Sequence, residues 1–296
     1  MCAPVTAALR RPLLQRLASP LVLPSLPLSR EAARGDGRFA FLRHSLGDQS
    51  RFPDIPPNRA CMHSMNLVKI LDRLESRYGI QQPCWSTEPY QFLIWWHCGY
   101  PASDAACERG WKSLNEKIGI EPQQLLAASS KDLASALKPG GMVPELRAVR
   151  LKEIAARVRD HFAGDLRNAL VGPLKDVRKT LKKFPGIADP GADRVLLFGG
   201  IAPVAAVPSN CPHVLVRIQR GQDGENYGLT YKEAQQAILT ELPENFDARI
   251  RAYLLLKKHG QDVCKRTKPL CDQCVLHSAC AFFAGKHRGR ARTTKS

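Results

Sequence analysis

The sequence predicts an all-α fold. From residue 65 onward, hydrophobic residues recur at helical spacing, and no stretch shows the Val, Ile and Thr alternation typical of β-strands. The predicted helices are about 10 to 18 residues long and are joined by short loops, as in a compact helical core. A chain of 296 residues with 44% hydrophobic and 24% charged residues is long enough for one or two such domains. This composition excludes a disordered, collagen-like or coiled-coil protein.

The predicted helices follow one another along the chain with few interruptions. The first begins near Met65 and places Leu67, Ile70, Leu71 and Leu74 on one face. Further helices are predicted at Tyr90–Cys98, Ser103–Leu114, from Ser130, at Pro144–Phe162, Pro173–Lys183, from Asp189, at Thr230–Leu239 and at Phe246–His259. The longest apolar stretch, residues 195–207, is too short to cross a bilayer, so we expect no membrane partner.

The two ends of the chain differ in composition from the body. Residues 1–60 are rich in Pro and Arg and lack sustained periodicity, so they are expected to be a disordered, targeting or mis-annotated extension. A start at Met62 or Met65 would open directly on a good helix. We expect a cytoplasmic, nucleoid-associated protein, with mitochondrial targeting by residues 1–30 as the alternative. Residues 286–296 form a basic tail.

Positive charge dominates the chain and points to a polyanionic partner. Lys and Arg number 44 against 27 Asp and Glu, a formal net charge of +17, and the excess extends through the body as well as both ends. This balance favours binding to nucleic acid. A basic surface kept for solubility is the alternative that charge alone leaves open.

Four of the ten cysteines are bunched near the C-terminus. Cys264, Cys271, Cys274 and Cys280 form a C-x6-C-x2-C-x5-C array around a single CxxC. Thiolates this close repel one another unless a bound cation shares their charge, which zinc and iron–sulfur clusters both supply. Zinc sites more often pair two CxxC units, so the spacing favours a four-iron cluster.

The surrounding residues carry a specific resemblance. HGQDVCKRTKPLCDQCVLHSACAFF, residues 259–283, resembles the cluster loop of the endonuclease III family of helix-hairpin-helix (HhH-GPD) DNA glycosylases. The resemblance implies that the four cysteines hold a structural [4Fe-4S] cluster. It also implies that Lys265, Arg266 and Lys268 face DNA phosphates.

A second match lies upstream, at Phe184-Pro185-Gly186-Ile187-Ala188. This segment resembles the hairpin of a helix-hairpin-helix element, in which Gly186 permits a tight turn and backbone N–H groups face a phosphate. Gly186, Ile187 and Ala188 are therefore the candidate DNA-binding residues, with Ala188 standing where the family usually has glycine. VPSNCPHVLVR, residues 207–217, resembles the family's segment around its catalytic aspartate.

The resemblance fails at the catalytic positions. The family's catalytic aspartate aligns with Pro208, and the lysine of its bifunctional members aligns with Pro190. Proline can neither stabilise a cationic sugar nor form a Schiff base, so AP-lyase activity is not expected. Asp193 is the candidate for a relocated carboxylate, and the catalytic residues are otherwise unknown.

The resemblance implies two α-domains separated by a cleft. Residues 103–206 would form a six-helix domain with the helix-hairpin-helix at 173–199, and residues 65–102 and 207–285 would form the cluster domain. The implied function is base-excision repair, with DNA N-glycosylase activity on damaged bases through non-standard residues. The implied partner is double-stranded DNA, with or without a lesion, bound by a monomer. The alternative is a catalytically inactive, DNA-binding iron–sulfur protein.

Overall fold

The computed structural model describes residues 65–224 and 226–285, and this part of the chain is helical without β-strands. The all-α prediction is confirmed. The helices are α1 Leu67–Tyr78, α2 Pro89–His97, α3 Asp104–Lys117, α4 Pro122–Ala127, α5 Ser130–Leu137, α6 Pro144–Phe162, α7 Leu174–Leu181, α8 Asp189–Phe198, α9 His213–Arg220, α10 Tyr227–Glu241 and α11 Phe246–Asp262. Short 3-10 turns lie at Lys138–Gly140, Leu166–Ala169, Cys271–Gln273 and His277–Ala279.

Local signals in the sequence account for most of the helix starts. The side chains of Asn66, Ser103, Ser129 and Asn245 each accept a hydrogen bond from a backbone N–H of the first turn that follows. Such caps satisfy amide groups that a helix leaves without a partner. Helix α8 begins at Asp189, as predicted, and Ala188 occupies its cap position.

The apolar side chains form two clusters. The larger contains α2, most of α3 to α8 and the segment around Ala206, while the smaller joins α1 and α9 to α11 with Leu276 of the cysteine loop. The predicted division placed all of residues 65–102 with the cysteines. In the structure, α2 instead contributes Phe92, Leu93, Ile94 and Trp95 to the larger cluster.

Helix α11 connects the two clusters. It presents Ala252, Leu255 and Leu256 to the smaller cluster and Tyr253 and Leu254 to the larger one. A helix that buries apolar residues on two sides is typical of the junction between two packed layers. Helix α11 therefore forms part of this junction, and its residues Tyr253 and Lys257 line the same pocket as Pro208.

Several expectations fall on residues beyond the described ranges. The predictions for residues 1–60 and for the basic tail at 286–296 belong to this group. Within the described ranges, no helix is both long enough and apolar enough to cross a membrane.

Candidate functional site

The turn between α7 and α8 has the geometry expected of the hairpin. Gly186 adopts a φ of +67°, a left-handed conformation that favours glycine, and it is exposed. Phe184 and Ile187 on either side are buried and anchor the turn. Ala188 has a φ of −104°, which alanine adopts without strain, so the position where the family usually has glycine needs none here.

His97, a buried residue at the end of α2, forms a hydrogen bond with this turn. Its Nε2 lies 2.7 Å from the carbonyl oxygen of Pro185 and donates a hydrogen bond to it. Burial, with smaller contributions from Arg150 and Arg147, lowers the pKa of His97 to about 3. The imidazole is therefore neutral at physiological pH and acts as a fixed positioning group for the hairpin.

The four clustered cysteines line one cavity. Cys264, Cys271, Cys274 and Cys280 surround it together with apolar groups that include Ile218 and Val263. Within the described residues, no three His, Cys, Asp or Glu side chains converge closely enough to hold a single metal ion. Four cysteines around one cavity match the Cys₄ ligand set that holds an iron–sulfur cluster.

The sulfur atoms also have the donors that a cluster requires. The backbone N–H of Leu276 lies 3.4 Å from Sγ of Cys274, and Nη1 of Arg217 lies 3.9 Å from Sγ of Cys264. Burial raises the pKa of Cys274 to about 11, so its thiolate form depends on nearby positive charge such as that of bound iron. The donor set fits a [4Fe-4S] cluster.

Arg217 organises the first part of the cysteine loop. Its guanidinium is buried and donates to the backbone carbonyls of Lys265 and Arg266 at 2.9 and 2.7 Å, while Asp223 balances its charge. These two hydrogen bonds hold the backbone of the loop in place. Lys265, Arg266 and Lys268 are all exposed, as required for contact with phosphates.

Asp193 lies away from the cleft. It is fully buried, forms an ion pair with Arg178 of α7, and accepts hydrogen bonds from Tyr231 and Gln235 of α10 at 2.8 and 2.9 Å. Burial raises the pKa of Asp193, and Arg178 and Tyr231 partly counteract that effect. This geometry gives Asp193 a structural role, linking the hairpin helices to α10, and does not support the catalytic role considered for it.

A narrow pocket opens beside Pro208, at the junction of the two clusters. Asp104 at the start of α3 and Lys257 of α11 line it and form an ion pair with each other. Their side chains are 25% and 10% exposed. Arg194 of α8 forms another part of the wall. Pro190 does not line this pocket, so the two family positions that read as proline are not brought together in it.

Comparison with known proteins identifies relatives of this chain in sequence and in fold. Over 206 residues the chain is 27% identical to endonuclease III of Thermotoga maritima, covering 70% of this chain and 89% of that protein. It is 25% identical over 183 residues to endonuclease III of Sulfolobus acidocaldarius, covering 62% and 77%. A solved endonuclease III–DNA covalent intermediate has a TM-score of 0.60 at 19% identity, covering 75% of this chain and 99% of that one. No protein-family model matches.

The chain is similar in sequence to endonuclease III and shares its all-helical fold. The fold is also shared with a thermostable thymine-DNA glycosylase, at a TM-score of 0.58 and 18% identity over 74% of this chain and 97% of that one. These matches confirm the resemblance inferred from the cysteine loop and the hairpin.

Sequence reasoning missed the charged residues around the pocket of this endonuclease III-like protein. Arg194 stands within the apolar run GADRVLLF and Lys257 follows LLL, so each is a charge on a buried helix. That pattern signals a paired or functional group. Asp104 gave no such signal, because an acid in the first turn is explained by helix stabilisation alone. That these three residues meet follows only from tertiary packing.

Proposed function

We propose that this protein acts in base-excision repair and binds duplex DNA through two surfaces, the hairpin and the cysteine loop. The observation that carries the proposal is the exposed turn at Gly186, held from inside by His97 and followed by α8. The N-terminus of α8 lacks a side-chain cap. Backbone N–H groups at a helix N-terminus attract a phosphate oxygen. Its relatives include endonuclease III and thymine-DNA glycosylase, and the former has been solved with DNA.

The cysteine loop would provide the second surface. A [4Fe-4S] cluster held by Cys264, Cys271, Cys274 and Cys280 would stabilise the loop structurally. The chain itself already fixes the loop backbone through Arg217 and leaves the basic side chains exposed. Contacts of this kind set affinity and position without reading base sequence.

We propose that the protein works as a monomer on DNA containing a damaged base. One chain carries both the hairpin and the cysteine loop, so a second copy is not required to complete the binding surface. As a genome-repair protein it would be associated with the nucleoid. Its glycosylase activity would have to use residues other than the family pair, since Pro190 and Pro208 occupy those positions.

The test is a binding and cleavage assay with cluster-loaded protein. Duplexes containing a single damaged base, an abasic site or no lesion are titrated at several salt concentrations, and base release is measured on the same samples. We expect tight, salt-dependent binding that is largely independent of sequence. Absence of duplex binding at low salt would overturn the proposal. Binding without release from any lesion would support the alternative of a catalytically inactive binding protein.

A further inference from the structure

The pocket beside Pro208 contains hydrogen-bond donors that the protein leaves without partners. Arg194 is 4% exposed, and its Nε and Nη2 atoms are buried without a hydrogen-bond acceptor. Nε1 of Trp96, in the same wall, is also buried without one. An unpartnered buried polar group is costly, and a buried charge more so. These donors therefore indicate a ligand that brings acceptor atoms into the pocket.

Aromatic rings hold the Arg194 guanidinium in place. Its Cζ lies 3.8 Å from the ring centroid of Trp85, 4.9 Å from that of Phe92 and 5.2 Å from that of Trp96. Contacts with ring faces offset part of the desolvation of a cation. They supply no acceptor in the guanidinium plane, where its N–H groups point. The cage fixes the orientation of Arg194 and leaves its donors available.

Asp104 is the one carboxylate among the described residues that line this pocket. It is the first residue of α3, where the helix dipole favours negative charge, and it forms an ion pair with Lys257, which also lines the pocket. Its side chain keeps 25% exposure, whereas that of Asp193 has none. Asp104 therefore has what Asp193 lacks, a negative charge that a molecule in the cleft can reach.

We propose that this pocket receives the sugar and base of a nucleotide extruded from duplex DNA, with Asp104 as the catalytic carboxylate. Arg194 and Trp96 donate to acceptor atoms of the base, and Lys257 is a positioning residue that holds Asp104. This inference rests on the proposed repair function. The pocket of the free protein has room for about 20 Å³, enough for one water molecule, so its walls must move apart as the nucleotide enters.

The reaction is hydrolysis of the bond between C1′ and the base nitrogen. This bond breaks with its electron pair on the base, and Asp104 stabilises the positive charge that develops on the sugar. The oxygen of a water molecule bonds to C1′. One of its protons ends on the departing base, and the other stays in the new C1′ hydroxyl of the abasic product. Asp104 is unchanged at the end, and no covalent enzyme intermediate is required.

The experiment measures single-turnover base release from duplexes containing uracil, thymine glycol or 8-oxoguanine, together with duplex affinity. Asp104→Asn should slow release on the order of 100-fold while duplex affinity stays within about twofold. Asp247→Asn is the matched control, because Asp247 is an exposed acid in the first turn of α11 outside the pocket. It should release bases at the wild-type rate.

Two further variants separate catalysis from folding. Asp104→Asn combined with Lys257→Met removes both charges of the pair, so no lone buried charge remains, and it should fold but stay inactive. Lys257→Met alone should slow release, and Lys257→Arg should restore most of the rate because it keeps the ion pair. Arg194→Met fills the aromatic cage with a side chain of similar length, and should slow release about tenfold or more without loss of duplex affinity.

The outcomes distinguish this inference from the function on which it rests. Release by wild type and D247N, with loss in D104N, supports the assignment. Equal release by D104N and wild type overturns it. So does wild-type protein that binds duplex DNA but releases no base from any of the three lesions, and in that case the DNA-binding proposal stands. Failure of the wild type to bind duplex DNA at all overturns both.

Discussion

Replacing His97 should remove a large part of the acid sensitivity of this fold. His97 is fully buried, and its pKa is lowered to about 3 from an ordinary value of 6.5. Below pH 6.5 the imidazole of His97 is protonated in the unfolded chain, whereas it stays neutral in the folded chain. Stability is therefore lost as the pH falls from 6.5 towards 3, and it is retained above 6.5.

The size of the loss follows from the difference between the two pKa values. A pH of 5 is 1.5 units below the pKa of 6.5 that His97 has in the unfolded chain. At about 1.4 kcal/mol per unit this amounts to about 2 kcal/mol relative to pH 8. A folded-state pKa one unit higher would leave this number nearly unchanged. For a domain of this size, about 2 kcal/mol corresponds to a shift of about 4 to 8 °C in Tm.

His97→Gln is the informative variant, because a glutamine amide can still donate to the Pro185 carbonyl but does not titrate. Tm is measured at pH 8 and pH 5 for cluster-loaded wild type, H97Q and His161→Gln, an exposed histidine with no hydrogen bond to the hairpin. Wild type and H161Q should lose about 4 to 8 °C more than H97Q on acidification. Equal losses in wild type and H97Q would refute the reasoning.

Four further predictions concern the hairpin, the cysteine loop and the proline positions. The triple variant K265A/R266A/K268A removes the three exposed basic residues of the loop. It should reduce the slope of log duplex affinity against log salt concentration by up to about 2.7. The control K112A/K117A/K131A, on α3 and α5, should leave this slope unchanged. Gly186→Ala should cost about 1 kcal/mol or more at its φ of +67° and weaken DNA binding. Gly191→Ala should do neither, because its new Cβ would meet only the Ile187 side chain, at an ordinary contact distance of 3.4 Å. Anaerobically purified protein should contain about four irons per chain, and Cys271→Ser should lose iron and visible absorption together; stoichiometric zinc would contradict the cluster assignment. Borohydride should trap no adduct with an abasic duplex, because Pro190 has no amine and Lys257 is ion-paired with Asp104; efficient trapping would identify a lysine nucleophile.

The elements of this fold that depend on local signals were predictable from sequence. The helix at Pro144–Phe162 was predicted with the bounds the structure has, because a proline marks its start and Ala148, Leu151, Ile154, Ala155 and Val158 form one buried face. The capped start at Ser103 and the turn at Gly186 were likewise visible, since each depends on the residue type at one position. The cysteine spacing predicted a metal centre without any knowledge of packing.

The pocket could not be predicted in this way, because its three charged residues come from α3, α8 and α11. Asp193 and Arg194 are adjacent in sequence and both fully or nearly buried, yet one is saturated by Arg178, Tyr231 and Gln235 while the other has two unpartnered nitrogen atoms. From sequence alone Asp193 was the candidate catalytic residue, because it is a carboxylate close to the hairpin. Only the packing of α10 against α8 separates the two.

By sequence resemblance, Pro190 and Pro208 align with the family's catalytic lysine and aspartate, and the fold accepts proline at both positions. Pro190 occupies the second position of α8, where an amide hydrogen has no partner within the helix, so proline costs nothing there and presets the backbone angle. Pro208 precedes a turn closed by its own carbonyl, which accepts from the amide of Cys211 at 2.9 Å. Both substitutions therefore keep the hairpin and the cleft while removing imine chemistry and the family carboxylate. Hydrolysis of a glycosidic bond in this cleft requires a negative charge near the sugar that Pro208 cannot supply. Among the described residues that line the pocket, Asp104 is the carboxylate that can supply it.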